Sequence, residues 1–210
     1  MNDIYLTIAL PKGRLGDEAI EKFNRIGYGQ SILSDSRKLI FIDEEKKLKY
    51  MLVKPSDVIT YVENGVADLG IIGSDTLIEE KKPLFELMPL NFGFCKFAIA
   101  GKKGEIIHQR EDVLRIATKY PNVTRAYFKQ KNQTIDIIKL NGSVELAPLV
   151  GLSDVIVDIV ETGKTLKANG LEILETMMDV SARLIANPVS YRFKLSRITD
   201  IIEKLKKVGA

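Results

Sequence analysis

ELAPLVGLSDVIVDIVETGKTL, residues 145–166, holds the densest information in this chain. The apolar, β-branched run 155–160 predicts a buried strand. Asp154 stands at its start and Asp158 inside it. The run breaks at once into Glu161, Thr162, Gly163, Lys164 and Thr165, and a short helical pattern over 163–169 ends at Gly170. The first N–H groups of a helix have no internal partner and point at whatever lies there, which suits a phosphate. Carboxylates just upstream are pure acceptors and match the hydroxyl groups of a ribose, or a metal. The stretch therefore reads as a sugar-phosphate site. The competing reading is an ordinary strand–turn–helix junction with Thr162 as its cap.

Gly163-Lys164-Thr165 invites comparison with a nucleotide-binding P-loop. That motif needs a glycine five residues before its GK[ST] glycine. The position is 158 and holds Asp, so this is a shorter turn, sized for one phosphate. Asp158 inside a Val/Ile strand is expensive to bury without a partner, so it is expected to serve a ligand together with Glu145 and Asp154.

Outward from this stretch, strands and helices alternate. Ile4–Leu10 predicts a buried strand, followed by a turn carrying Lys12 and Arg14 and a helix over 15–26. Strands are expected at Leu39–Ile42 and Leu48–Val53, a helix over 55–64, and a strand at Asp68–Ile72. That strand opens through Gly70, Gly73 and Ser74 onto another helix. Extended segments at Phe85–Leu90 and Phe94–Ala100 precede a second α/β set: strand Arg115–Thr118, helix 121–130, strand Thr134–Lys139, a helical turn near Glu145, and the 145–166 stretch. Leu171–Met178 and Ala182–Ala186 are extended. Asn187 and Pro188 then open a final helix whose apolar positions Ile198, Ile201, Ile202, Leu205 and Val208 form one face.

Such alternation predicts an α/β chain with mostly parallel sheets and helices on both faces. Two successive sets predict two lobes: 1–90 with 179–210 as a discontinuous first lobe, and 91–178 as the second. The ligand is then expected in the cleft between lobes. Lys12 and Arg14 follow the first strand, where open α/β sheets place ligands. Arg37, in a polar loop, is expected to reach this cleft or that of a neighbouring subunit. Gly70, Gly73 and Ser74 mark a second junction facing it.

Composition narrows the function class. The chain has 210 residues, 45% hydrophobic and 28% charged, enough for packed cores. Its 31 basic and 28 acidic residues leave a net charge of +3, which gives no nucleic-acid footprint. The single cysteine, Cys95, lies in an apolar run and reads as a core thiol in a reducing compartment. The single histidine, His108, lies in a charged loop and is not expected to be catalytic. Cys/His zinc sites are excluded by count. No signal-peptide pattern opens the chain and no run reaches transmembrane length, so a cytoplasmic protein is expected.

Glu145, Gly151, Asp158 and Thr162-Gly163-Lys164-Thr165-Leu166 together resemble the signature of the ATP phosphoribosyltransferase family. The resemblance extends through Leu10–Arg14, Ser36–Phe41, Ala67–Gly70, Arg115–Tyr120, Arg125–Phe128 and Ala168–Leu171. It implies a two-lobed, periplasmic-binding-protein-like (type II) fold. It also implies the first reaction of histidine biosynthesis: adenine N1 of ATP attacks C1 of phosphoribosyl pyrophosphate and releases pyrophosphate. The Thr162–Thr165 turn would take the 5-phosphate and Asp158 with Glu145 the ribose hydroxyls, with Asp154 and Glu161 as further substrate-binding residues. Lys12, Arg14 and Arg37 would neutralise the leaving pyrophosphate, with Mg²⁺ carried on that group rather than by protein ligands. Lys164 fills a position the family pattern leaves open. An end at Ala210 resembles the short form of the family. That form implies a homodimer as building block of a hetero-oligomer with a histidyl-tRNA-synthetase-like regulatory subunit. The alternative is a two-lobed small-molecule binding protein without chemistry; Asp158 beside the Thr-rich turn argues against it.

Overall fold

The computed structural model describes residues 4–29, 37–108 and 112–209. In chain order the elements are β1 (Leu6–Pro11), α1 (Arg14–Arg25), β2 (Ile40–Asp43), β3 (Leu48–Val53), α2 (Val58–Glu63), β4 (Leu69–Gly73), α3 (Ser74–Glu80), β5 (Phe85–Pro89), β6 (Cys95–Lys102), β7 (Leu114–Thr118), α4 (Pro121–Gln130), β8 (Ile135–Lys139), α5 (Leu146–Leu149), β9 (Val155–Val160), α6 (Lys164–Ala168), β10 (Leu171–Val180), β11 (Ala182–Ala186), α7 (Pro188–Phe193) and α8 (Leu195–Lys207). They divide into two units: Met1–Leu77 with Lys81–Gly93 and Ser181–Ala210, and Ile78–Glu80 with Phe94–Val180.

The first unit holds a six-stranded sheet of order β2-β3-β1-β4-β11-β5. β1 runs parallel to β3 and β4, whose chain connections contain helices. β2 reaches β3 through the short turn 44–47 and is antiparallel to it, and β11 is antiparallel to β4 and β5. The sheet is therefore mixed rather than mostly parallel. Strand alternation divides the core. Leu6, Ile8 and Leu10 pack with Ala19 and Phe23 of α1 and with Ile198, Ile201 and Leu205 of α8. Ala9, Ile72 and Ile185 face Val58, Ile59 and Val62 of α2 on the opposite side.

The second unit holds a five-stranded sheet of order β10-β6-β9-β7-β8. β7 is parallel to β8 and β9, while β6 is antiparallel to β9 and β10. Val155 and Val157 pack on one face with Val123 and Phe128 of α4. Ile156 and Val160 pack on the other with Ala147 and Leu166, beside α5 and α6. Cys95, expected in the core, is half-buried at the start of β6 and packs against the first of these faces.

Two expected helices are each divided. The 55–64 segment opens as a 3₁₀ turn, Pro55–Asp57, before α2. The final helix breaks at Lys194 (φ −117°, ψ 24°) into α7 and α8. Asn187 caps α7 as its sequence predicts, accepting the Val189 and Ser190 N–H groups. The break lets Lys194 Nζ donate to Asp68 Oδ2 at 2.7 Å and to the Tyr5 carbonyl at 2.8 Å. Asp68 is only 4% exposed and also accepts the Thr7 N–H at 2.7 Å. A buried carboxylate stripped of its cation costs about 3–5 kcal/mol, against about 1 kcal/mol for a helical hydrogen bond, so the break is favoured.

His108, in the loop between β6 and β7, is part of a clasp between β10 and the end of α4. Its Nε2 lies 2.5 Å from Glu175 Oε2 and its Nδ1 3.0 Å from Gln133 Oε1. Tyr127 and Lys131 both donate to Glu175 Oε1. Burial alone pushes the Glu175 carboxyl up, but hydrogen bonds from Lys131, Tyr127 and His108 outweigh it and bring it down to about 2. A depressed carboxyl contributes stability that is complete above its unfolded value and is lost as pH falls through the folded one. Glu175→Gln is therefore expected to cost about 2 kcal/mol at neutral pH. The gap to wild type should hold down to about pH 4.5 and close as pH approaches 2. Thermal melts of both proteins across that range check this; a gap independent of pH would show that Glu175 acts by packing.

Candidate active site

In the second unit, β7, β8 and β9 are parallel, so their C-terminal ends share one edge. That is the edge where α/β sheets leave ligand-binding loops. β9 ends at Val160, and Glu161, Thr162, Lys164 and Thr165 are exposed directly beyond it. Gly163 adopts φ 68°, a left-handed conformation that a β-carbon would strain, and it turns the chain into α6. The Lys164 N–H donates to Thr162 Oγ1 at 3.4 Å, and Leu166 is buried beneath the turn. Asp158 is half-buried two residues before the strand end, on the α5–α6 side with Ile156 and Val160. Its Oδ1 accepts the Ile159 N–H at 2.8 Å. Glu145, half-buried, immediately precedes α5 after the chain leaves β8, so topology brings it to the same edge.

Asp154 does not join them. It precedes β9, separated from the turn by the whole strand, roughly 20 Å at 3.3 Å per residue. There Arg115 donates through its backbone N–H to Oδ2 at 2.9 Å and through Nη2 to Oδ1 at 2.7 Å. Asp154 therefore ties β9 to β7 at the opposite end of the sheet from the turn.

In the first unit, Lys12 and Arg14 flank the end of β1. The Lys12 N–H donates to the Val53 carbonyl at 2.8 Å, extending the β1–β3 ladder, and its side chain is exposed. Gly13, at φ 88°, opens α1, and Arg14 is the helix's first residue, with Nε 3.6 Å from Glu18 Oε1. Arg37 is exposed, three residues before β2. Because β2 is antiparallel to β3, its start lies at the edge where β1 and β3 end. Residues 34–36 of that loop lie outside the described residues.

Gly70 and Ser74 have packing and hydrogen-bonding roles within the first unit. Gly70 is buried inside β4, and a β-carbon there would meet Val62 Cγ2 at 2.7 Å and Val58 Cγ1 at 2.8 Å. Its smallness lets α2 lie on the sheet. Ser74 is 6% exposed; its N–H donates to the Ser181 carbonyl at 2.9 Å, and its Oγ accepts the Ser181 N–H at 3.2 Å. Gly73, half-buried, leaves room for the Asp75 carboxylate, whose Oδ1 would lie 2.0 Å from an added β-carbon.

Among the described residues no group of three or more His, Cys, Asp or Glu converges to hold a metal ion. No described helix is long and apolar enough to cross a membrane.

The family model for HisG, ATP phosphoribosyltransferase, matches residues 54–207. The chain is 61% identical to an ATP phosphoribosyltransferase of Clostridioides difficile (strain 630), over 97% of this chain and 98% of that protein. The chain belongs to the ATP phosphoribosyltransferase family. A second ATP phosphoribosyltransferase, from Thermoanaerobacter sp. (strain X514), is 54% identical over 97% of this chain and 95% of its own. Among solved structures, an ATP phosphoribosyl transferase (HisG:HisZ) complex from Thermotoga maritima superposes with a TM-score of 0.82 at 40% identity, covering 97% of this chain and 98% of that one. The periplasmic VFT2 domain of Bordetella pertussis BvgS superposes with a TM-score of 0.62 at 12% identity, over 100% of this chain and 89% of that one. That likeness is one of fold alone, and it agrees with the α/β, periplasmic-binding-protein-like architecture expected of an ATP phosphoribosyltransferase.

Proposed function

We propose that this chain is the catalytic subunit that joins ATP to phosphoribosyl pyrophosphate, giving N1-(5-phosphoribosyl)-ATP and pyrophosphate in histidine biosynthesis. The observation that carries the reading is the sheet edge at which β9 presents Asp158 and the Gly163 turn, with Glu145 in the loop that follows β8 at the same edge, in a chain of this family. The backbone and hydroxyl groups of Thr162–Thr165 bind the 5-phosphate, with Glu161 beside them. Asp158 and Glu145 accept the ribose hydroxyls. Adenine N1 attacks with its own lone pair, so no general base is required. As the C1–O bond breaks, negative charge grows on pyrophosphate, and Arg14, with Lys12 and Arg37, neutralises it.

Mg²⁺ bound to the pyrophosphate supplies further charge neutralisation. Asp158 and Glu161 are oxygen donors of the kind that meet such an ion through its waters. By analogy with the HisG:HisZ complex, the chain works beside a second subunit in a hetero-oligomer; the family resemblance further implies a homodimer as building block, a histidyl-tRNA-synthetase-like regulatory subunit and a cytoplasmic location.

A coupled assay with ATP and phosphoribosyl pyrophosphate, with and without the regulatory subunit, tests the reaction. Ligand binding without turnover under both conditions would leave only a binding protein. Asp158→Asn is expected to raise the KM for phosphoribosyl pyrophosphate about tenfold or more, because a carboxylate acceptor becomes half donor. The KM for ATP should stay near its wild-type value.

A further inference from the structure

We infer that Lys119 is a substrate-binding residue that engages the phosphate charge of phosphoribosyl pyrophosphate from the strand next to Asp158. This rests on the phosphoribosyl reading of that edge. β7 lies between β9 and β8 in the sheet. Its last residue, Thr118, is in register with Val157 of β9. β9 continues to Asp158, while Lys119 is the first residue after β7 ends. Lys119 therefore leaves the sheet at the edge to which β9 brings Asp158, one residue beyond the last paired position. On the other side of Asp158 its partner is Ala98, whose methyl group offers no charge.

Lys119 is exposed, while Ile116, Ala117, Thr118 and Tyr120 around it are buried. Its backbone is held on both sides. Thr118 Oγ1 donates to the Val157 carbonyl at 2.7 Å and accepts the Tyr120 N–H at 2.9 Å. The Tyr120 carbonyl accepts from Thr124 Oγ1 at 2.8 Å, and the Tyr120 ring packs edge-on against Phe97 at 4.8 Å. Lys119 Nζ lies 5.7 Å from the Tyr120 ring. A surface lysine on a mobile loop has no such support; this cation is mounted on a rigid one, as binding groups are.

Charge balance gives the support its purpose. Glu145, Asp158 and Glu161 share this edge, and carboxylates that accept ribose hydroxyls also repel a polyanionic sugar phosphate. Lys119 offsets that repulsion from the strand beside Asp158. ATP also carries phosphates, but Asp158 is the ribose acceptor of phosphoribosyl pyrophosphate, so the neighbouring cation is assigned to that substrate.

The test is steady-state kinetics and calorimetric binding with the intact protein and its regulatory subunit, using Lys119→Met, Lys119→Gln, Lys119→Arg and, as control, Lys139→Met. Lys139 is exposed at the end of β8 and has no assigned role. Loss of a charge-assisted contact is expected to raise the KM and Kd for phosphoribosyl pyrophosphate about 10- to 30-fold in the Met and Gln variants. The ATP KM should stay within about twofold, Lys119→Arg within about threefold of wild type, and the penalty should shrink as salt is raised. An unchanged KM for phosphoribosyl pyrophosphate, a rise confined to ATP, or an equal rise in Lys139→Met would overturn the assignment. If Asp158→Asn still weakens phosphoribosyl pyrophosphate binding while the Lys119 variants do not, only Lys119 is misassigned. If neither position affects it, the phosphoribosyl reading of the edge itself fails.

Discussion

In Arg14→Ala, kcat is expected to fall about 100-fold while the KM values for both substrates change far less, as when a donor that stabilises developing charge is removed. Arg14 is the first residue of α1, and Gly13 holds the turn that presents it. Its pairing with Glu18, at 3.6 Å between partly exposed side chains, contributes little to stability. The loss should therefore appear in the transition state and not in folding. Thermal melting within about 2 °C of wild type, alongside the kinetic loss, separates the two, since exposed ion pairs contribute less than about 1 kcal/mol. A wild-type kcat would remove Arg14 from the chemistry.

Gly16→Ala is expected to be the most destabilising small substitution in the first unit. A β-carbon on Gly16 would lie 1.7 Å from the Pro11 carbonyl oxygen, an overlap that only backbone movement relieves. Forced overpacking of this kind costs about 1–3 kcal/mol or more. Here the movement would also displace Lys12, Gly13 and Arg14, so kcat should fall with stability. Gly142→Ala is the matched control: nothing lies within 4 Å of its added β-carbon. It should be neutral or stabilising by up to about 1 kcal/mol, through lower unfolded-state entropy. Urea midpoints for the two variants check the contrast; a wild-type midpoint in Gly16→Ala would mean that α1 slides away from β1 without cost.

Much of the fold was legible in the sequence. The predicted segments Leu48–Val53, 155–160, 121–130 and Ala182–Ala186 coincide with β3, β9, α4 and β11. Each carries a clear period or a clear stop signal, and those depend on neighbours only a few residues away. The break at Lys194 was not legible, because its cause is Asp68, more than a hundred residues upstream. The clasp around Glu175 escaped for the same reason: His108, Tyr127 and Lys131 come from separate segments.

The candidate site divides along the same line. Asp154 and Asp158 are four residues apart and look alike in the sequence. Strand geometry puts one at each end of β9, and Arg115 claims the first. Gly70, inside β4, and Gly163, after β9, are both glycines of strand–turn–helix segments. One is small because α2 needs the space, the other because the chain must turn at positive φ.

By itself the sequence determined the alternation of strands and helices, the Glu161–Thr165 turn after a buried strand, and membership of a family whose signature it carries. These rest on local sterics, side-chain periodicity and residue order. Only the tertiary structure decided which carboxylates share an edge, which small residues serve packing, and that Lys119 follows the strand beside the one that carries Asp158. Those depend on sheet order and register, set by packing and hydrogen bonds between segments far apart in the chain.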